Sequence, residues 1–156
     1  LRTSELTALR VKDFETGHGK RIGLLRIRGK NKKQRALFVV DRLFDQLTAY
    51  LAHPKSPKKK LSPLFVAATK ETAISNNRVQ RLVKDQARLA GIDTPVTPRV
   101  LRHSFATEMY HQNVPLEDIC AMMGHDKPAD TSVYVHVSDK LKQLALDHIH
   151  ITGELL

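Results

Sequence analysis

The sequence predicts a mainly α-helical domain with one small antiparallel β-sheet, an α+β fold. Apolar residues recur at helical spacing in most segments after residue 40, which is typical of amphipathic helices. Two β-prone segments, 22–28 and 35–40, flank the stretch GKNKKQ, whose Gly and Asn favour a tight reversal. With 156 residues, 41% of them hydrophobic, the chain suffices for one core and is short for two.

The first half of the chain is predicted as a short helix, a hairpin and a longer helix. Residues 3–10 form the short helix, with Thr3 or Ser4 as its cap. The hairpin has a basic tip, and the segment DRLFDQLTAYLA, from Asp41, follows it with leucines at every fourth position. The stretch 53–63 contains three prolines and four lysines, and it ends this helix as a surface loop.

The second half of the chain is predicted as a series of helices. The first spans about 75–90 and ends at Gly91. The next spans about 99–112, and the one after it starts at Pro115 and stops at Gly124. The segments PADTSVYVHV and SDKLKQLALDHI complete the chain as two more helices. In the first of these helices, the residues expected to face the core are Val79, Leu82, Val83 and Leu89.

The charge of the chain indicates a polyanionic partner. The sequence has 26 Lys and Arg against 16 Asp and Glu, a net charge of +10, and 16 of those basic residues stand in the first 60 positions. A nucleic acid is the expected partner because neutralising phosphates releases counterions, although a basic protein without such a partner and an anionic membrane surface remain alternatives. No run of 18 apolar residues and no apolar leader is present, and the single cysteine suits a reducing compartment, so the cytoplasm is expected.

Several reaction classes lack their motifs in this sequence. The patterns GxxxxGK[ST], GxGxxG, HExxH, DxDxDG and GxSxG are all absent. The eight histidines are scattered, and Cys120 stands among apolar residues at core spacing, which favours a structural cysteine over a nucleophile. We therefore expect neither a cofactor nor a metal ion.

What remains is a set of phosphate ligands around one candidate nucleophile. In chain order these are Arg2 in LRTSEL, Lys30 in GKNKKQR, Arg99 and Arg102 in TPRVLRHSFAT, His125 in MMGH, and Tyr134 nine residues later. Their types, order and spacing resemble the catalytic signature of the tyrosine recombinases, also called the phage integrase family. The resemblance covers the whole chain. Taken singly, each has a plain alternative, such as a surface pair between Arg2 and Glu5 or a packing role for Tyr134.

The resemblance implies the fold of a tyrosine recombinase catalytic domain and a role for each residue. Tyr134 would join covalently to the 3′ phosphate of DNA, without metal or nucleotide, before the strand passes to another duplex. Two guanidiniums, Arg2 and Arg102, suit the non-bridging oxygens because each offers a planar fork of donors. Lys30 would protonate the leaving 5′ oxygen, with Lys32 or Lys33 as alternatives in another register. His125 would donate a hydrogen bond to the phosphate.

One residue departs from the family pattern. Arg99 stands where the family usually has histidine, and an arginine cannot act as a base near neutral pH. It can still hold phosphate and lower the pKa of the tyrosine, so we expect activity that is retained but slower. A catalytically impaired DNA-binding relative and a metal-dependent nuclease are the alternatives, the latter disfavoured because the sequence shows no carboxylate cluster.

The remaining predictions concern contacts with DNA and assembly. The expected DNA contacts are Lys32, Lys33 and Arg35 in the hairpin, and Asn77, Arg78, Arg81 and Lys84 on the helix at 75–90, although a solvated polar face is the alternative for that helix. The resemblance implies four protomers on two duplexes and a preceding DNA-clamping domain outside residues 1–156. Whether the apolar stripe at 141–149 packs within its own chain or on a neighbour stays open, as does the biological role among integration, transposition and dimer resolution.

Overall fold

The computed structural model describes residues 1–17, 21–29, 34–67 and 72–124. In chain order the elements are α1 (Thr3–Ala8), a 3-10 turn (Val11–Asp13), β1 (Phe14–Thr16), β2 (Ile22–Arg28), β3 (Gln34–Val40), α2 (Asp41–Ala52), α3 (Asn76–Leu89), α4 (Pro98–His111) and α5 (Leu116–Met123). The two helices predicted after Gly124 lie outside the described residues. No helix in the described part is long and apolar enough to cross a membrane.

The sheet has three antiparallel strands in the order β1-β2-β3. The predicted hairpin is confirmed, whereas β1 was not predicted because three residues are too short to show an alternating pattern. Along β2 the side of the sheet facing the core carries Gly23, Leu25 and Ile27. Gly23 is required there, since a Cβ would stand 2.5 Å from Cε2 of Phe14. The ring of Phe14 therefore lies directly against the backbone of β2.

The buried apolar side chains form two clusters. The first joins the sheet to α1 and α2, and its members are Leu9, Phe14, Leu25, Ile27, Val39, Leu47 and Leu64. The second joins α4 to α5, and its members are Met109, Val114, Ile119 and Met123. Ile27 and Leu64 are fully buried, and each such side chain contributes about 1.5–3 kcal/mol through the hydrophobic effect. The two clusters hold the sheet and the α4–α5 pair as the supports of the site described below.

The helix ends follow the local sequence. Ser75 caps α3 by accepting from the backbone N–H of Arg78 at 3.2 Å, and Thr97 caps α4 in the same way. Gly91 and Gly124 follow α3 and α5 with φ of +70° and +63°, conformations that favour glycine. Pro115 precedes the first turn of α5 instead of occupying it.

Two details of the helix predictions are wrong. The cap residue of α1 is Arg2, whose backbone N–H donates to the Glu5 side chain at 2.7 Å, and neither Thr3 nor Ser4. Leu82 and Leu89, both predicted to face the core, are exposed instead, at 37% and 75%. The described neighbours of α3 are α1 and α4, and these two helices cover only a narrow face of it.

Candidate active site

Three guanidiniums converge on one buried carboxylate, that of Glu5. The first turn of α1 carries Arg2 and Glu5, β3 contributes Arg35 and α4 contributes Arg102. The Glu5 side chain is only 4% exposed, and those of Arg35 and Arg102 are 6% and 12% exposed. The contact of Arg2 with Glu5 is thus not the surface pair considered as an alternative, because its acidic partner is inside the protein.

The Glu5 carboxylate accepts four hydrogen bonds. Its Oε1 accepts from Nη1 of Arg2 at 3.2 Å and from Nη1 of Arg35 at 2.8 Å. Its Oε2 accepts from the backbone N–H of Arg2 at 2.7 Å and from Nη2 of Arg35 at 2.8 Å. A carboxylate offers about four lone-pair positions, so Glu5 is saturated. Nη1 of Arg102 stays 3.8 Å from Oε2, close enough for charge attraction but too far for a hydrogen bond.

The same three arginines bind three consecutive carbonyl groups at the end of α5. Nε of Arg35 donates to the carbonyl of Met122 at 2.9 Å, Nη2 of Arg102 donates to that of Met123, and Nη2 of Arg2 donates to that of Gly124 at 2.8 Å. Carbonyls at a helix C-terminus lack intrahelical partners and carry the negative end of the helix dipole, which favours cations. These bonds attach the end of α5, immediately before His125 in the sequence, to the arginine cluster.

The charges of the cluster are unbalanced toward the positive. Burial by itself would raise the pKa of Glu5, but hydrogen bonds from Arg35 and from the backbone of Arg2, together with their charges, lower it to about 2. Burial lowers the pKa of the Arg102 guanidinium, repulsion from Arg2 adds to this, and attraction to Glu5 opposes it. Among the described residues, Nη1 of Arg102 is buried without a hydrogen-bond partner. A cluster with three guanidiniums, one carboxylate and one unused buried donor is suited to bind an anion such as a phosphate.

A basic cleft of about 690 Å³ begins beside α1 and runs between α3 and the start of α4. Its lining residues are Thr3, Asn77, Gln80, Arg81, Lys84, Val96, Thr97, Pro98 and Arg99. The lining carries three cationic side chains, and none of its described residues is acidic. Arg99 stands in the first turn of α4, where the helix dipole disfavours a cation and favours an anion. The charge of this lining therefore suits an anion.

The structure brings together some of the predicted site residues. Arg2 and Arg102 meet in the cluster, whereas Arg99 lines the cleft with Asn77, Arg81 and Lys84. Arg78 is exposed on α3 and does not line the cleft. Lys30, Lys32, Lys33, His125 and Tyr134 lie outside the described residues.

Arg35 differs from its prediction as a surface contact to DNA. Its guanidinium is buried, and it is occupied by Glu5 and by the Met122 carbonyl. The hairpin register contained the signal, since Arg35 pairs with Ile27, and directly opposed residues share a face of the sheet. The sequence suggests for Glu5 only a surface pair with Arg2, and its role as the shared partner of three arginines was missed because it depends on contacts between distant segments.

The described residues contain no group of three His, Cys, Asp or Glu side chains that could hold a metal ion. The donors that the cluster presents are N–H groups of arginine, which bind anions. The chemistry that these residues support is therefore the binding of a phosphate group by fixed guanidiniums.

Comparison with known proteins places the chain in a family. A sequence model of the phage integrase family matches residues 1–140. The chain is 31% identical over 151 residues to tyrosine recombinase XerC of Chlamydia pneumoniae, covering 96% of this chain and 47% of that protein. It is 34% identical over 146 residues to XerC of Thermodesulfovibrio yellowstonii, covering 90% of this chain and 47% of that protein. The chain spans about half the length of the curated relatives it matches.

Solved structures give the same result. The crystal structure of XerA recombinase matches with a TM-score of 0.68 and 27% identity, covering 95% of this chain and 53% of that one. The XerH site-specific recombinase in a pre-cleavage complex with its difH substrate matches with a TM-score of 0.69 and 26% identity. The match covers 92% of this chain and 42% of that one. The chain belongs to the phage integrase family. The resemblance and the fold class predicted from the sequence are both confirmed.

Proposed function

We propose that this chain is the catalytic domain of a site-specific recombinase that cleaves and rejoins DNA through a covalent 3′-phosphotyrosyl intermediate. The observation that carries the proposal is the arrangement of Arg2 and Arg102, two guanidiniums fixed beside one another with a buried donor of Arg102 left without a partner. Membership of a family whose relatives are tyrosine recombinases supports it.

In the proposed reaction, Tyr134 is the nucleophile. Its oxygen forms a bond to the scissile phosphorus while the bond from phosphorus to the 5′ oxygen breaks, and the electron pair of that bond stays on the leaving oxygen. Lys30 donates a proton to this oxygen, and the proton of Tyr134 passes to solvent. Rejoining is the same exchange in reverse, with a 5′ hydroxyl from another strand as the attacking group.

The arginines stabilise the charge that develops on the phosphate. Arg2 and Arg102 donate to the non-bridging oxygens, and His125 adds a further donor. Because Arg2 is already held by Glu5, and both Arg2 and Arg102 by the end of α5, neither guanidinium has to be ordered during the reaction. Removing one such donor typically costs about 10²–10³ in rate.

Double-stranded DNA is the proposed substrate. The positive cleft, with Asn77, Arg81, Lys84 and Arg99 in its wall, supports a path for the DNA backbone next to Arg2. The related XerH structure is described as a site-specific recombinase bound to a difH substrate, in a pre-cleavage complex.

Assembly and location extend the proposal. We infer that residues 1–156 act as one catalytic domain of a longer protein, and that four protomers act on two DNA sites in the cytoplasm, at the nucleoid. Sedimentation of the full-length protein on DNA with two sites measures the number of protomers. A complex with two protomers and full strand exchange would refute the tetramer.

The test is covalent trapping on DNA. The full-length parent protein and its Tyr134→Phe variant are incubated in EDTA with nicked half-site duplexes made from the DNA that flanks its gene, and adducts are resolved on a denaturing gel. An adduct in the parent that is absent in Tyr134→Phe is the expected result. Loss of parental activity in EDTA would instead indicate a metal-dependent nuclease.

Arg99 favours a second candidate, a DNA-binding relative with impaired catalysis. Its guanidinium cannot accept the tyrosine proton, and its position in the cleft suits phosphate binding alone. Site-specific binding without an adduct, together with an adduct in Arg99→His, would establish this candidate in place of the active enzyme.

A further inference from the structure

The donors around Glu5 outnumber the positions where that carboxylate can accept. Arg2 fills two positions and Arg35 fills the other two, with both Arg35 bonds at 2.8 Å. Nη1 of Arg102 is 3.8 Å from the same carboxylate and has no hydrogen-bond partner among the described residues. Whether Arg102 can donate a hydrogen bond to Glu5 therefore depends on whether Arg2 and Arg35 fill all of its acceptor positions.

A buried N–H group without an acceptor is costly, and it takes the nearest acceptor available. Removing the Arg35 guanidinium would open two positions on Glu5 within reach of Arg102. The Arg102 guanidinium would then donate to Glu5 and would leave the position that the present arrangement gives it. By saturating Glu5, Arg35 keeps Arg102 in that position.

The surroundings of Arg35 hold it in this one position. Its Nε donates to the carbonyl of Met122, and its strand partner Ile27 is fully buried. The backbone of Gly124 packs directly on the guanidinium, because a Cβ there would stand 2.7 Å from Nη1 and 2.9 Å from Cζ of Arg35. All three guanidinium nitrogens of Arg35 already donate, to Glu5 and to the Met122 carbonyl, so any effect of Arg35 on the reaction must act through its neighbours.

We propose that Arg35 is a positioning residue for phosphate binding: by saturating Glu5 it keeps the Arg102 guanidinium from being drawn onto that carboxylate, so that Arg102 stays in position for the scissile phosphate. This inference rests on the proposed function for its effect on cleavage. Its effect on phosphate binding does not depend on the tyrosine chemistry, so the two can fail separately.

The experiment compares Arg35→Met and Arg35→Lys with Arg26→Met in the full-length protein. Arg26 is the matched control because it makes the same two-bond pair with a carboxylate, Glu15, at 2.8 and 3.0 Å on the exposed side of β2. Three quantities are measured. The rate of adduct formation on the nicked half-site and the Kd for that DNA are measured well below the melting temperature. The rise in Tm caused by inorganic phosphate is measured by thermal unfolding.

The expected result is a selective loss. Arg35→Met slows adduct formation about tenfold or more, as small misplacements of catalytic groups do, while Kd for DNA changes about threefold or less. Arg35→Lys gives a smaller loss, because one ammonium group replaces only part of the two-bond contact. Both variants lose the phosphate-dependent rise in Tm, and Arg26→Met behaves as the parent in all three measurements.

A double-variant cycle separates positioning from a merely structural role. If Arg35 acts through Arg102, then adding Arg35→Met to Arg102→Lys causes no further loss of rate, whereas independent structural damage adds to it. If Arg35→Met fails to fold, the same cycle with Arg35→Lys decides.

Unchanged adduct rates in both Arg35 variants, or additive losses in the cycle, would overturn the inference. If the parent forms no adduct, the proposed function fails, and the phosphate-dependent rise in Tm decides the inference alone. An equal rise in the parent and Arg35→Met would then overturn it.

Discussion

Replacing Glu5 by glutamine tests the cluster at its centre. The amide keeps the shape of the side chain, but it removes the negative charge shared by three guanidiniums and places an NH₂ donor where an oxygen now accepts two hydrogen bonds. The geometry of the α1–β3 contact is preserved while its charge balance is lost.

The magnitude follows from the pKa of Glu5. The folded protein lowers it from 4.5 to about 2, which corresponds to roughly 3 kcal/mol in favour of the charged form. Removing one partner of a buried ion pair costs about 3–5 kcal/mol in other proteins, which agrees. We therefore expect Glu5→Gln to lose about 3 kcal/mol of unfolding free energy at pH 7, or roughly 6–12 °C in Tm.

The assay is urea-induced unfolding of the full-length protein from pH 7 to pH 2. Because the folded pKa lies below the unfolded one, Glu5 stabilises the fold fully above about pH 4.5 and loses this contribution as the pH falls toward 2. The difference between parent and variant should therefore shrink in acid. The control is Glu15→Gln, an exposed partner of Arg26, with an expected loss of about 1 kcal/mol or less. A Glu5→Gln loss as small as that of the control, or one independent of pH, would refute the reasoning.

Three further substitutions probe a helix end, the core and the cleft. Gly124→Ala should cost more than the about 1–2 kcal/mol that its φ of +63° implies, because the added Cβ would also stand 2.7 Å from Nη1 of Arg35; thermal unfolding measures this, and an unchanged Tm would contradict it. Ile27→Ala should lower the free energy of unfolding in urea by about 2–5 kcal/mol. Leu43 is 60% exposed, and Leu43→Ala should change that free energy by about 0.5 kcal/mol or less. Similar losses in the two variants would be inconsistent with the described core. Arg81→Ala should weaken DNA binding and reduce the slope of log K against log salt concentration by about one. Arg42 is exposed on α2, and Arg42→Ala should change neither quantity. Equal salt slopes for these two variants would argue against the cleft as a DNA surface.

Elements with a clear local pattern were predicted closely. The helix Asp41–Ala52 begins where the sequence places it, and the hairpin strands Ile22–Arg28 and Gln34–Val40 agree within one residue. Each has a hydrophobic repeat long enough to be recognised and a residue that marks where the element begins or ends. The strand Phe14–Thr16 has neither, and its pairing with β2 is what makes it a strand.

The sidedness of a helix depends on its neighbours. Periodicity shows which residues of α3 share a face, but it does not show how far α1 and α4 cover that face. Leu89 lies at the end of the apolar stripe and stays in solvent, while Ala87, a smaller residue, is buried.

The amino-acid sequence was enough to identify the arginines at positions 2 and 102, the departure at Arg99, and the family to which the chain belongs. These follow from short motifs, which keep their meaning without a fold. The folded arrangement was needed to show that Glu5 is the common partner of three arginines, that Arg35 is buried, and that one donor of Arg102 has no partner among the described residues. The physical reason is that hydrogen-bond saturation and burial are shared among α1, β3, α4 and the end of α5, segments separated by up to 122 residues in the chain.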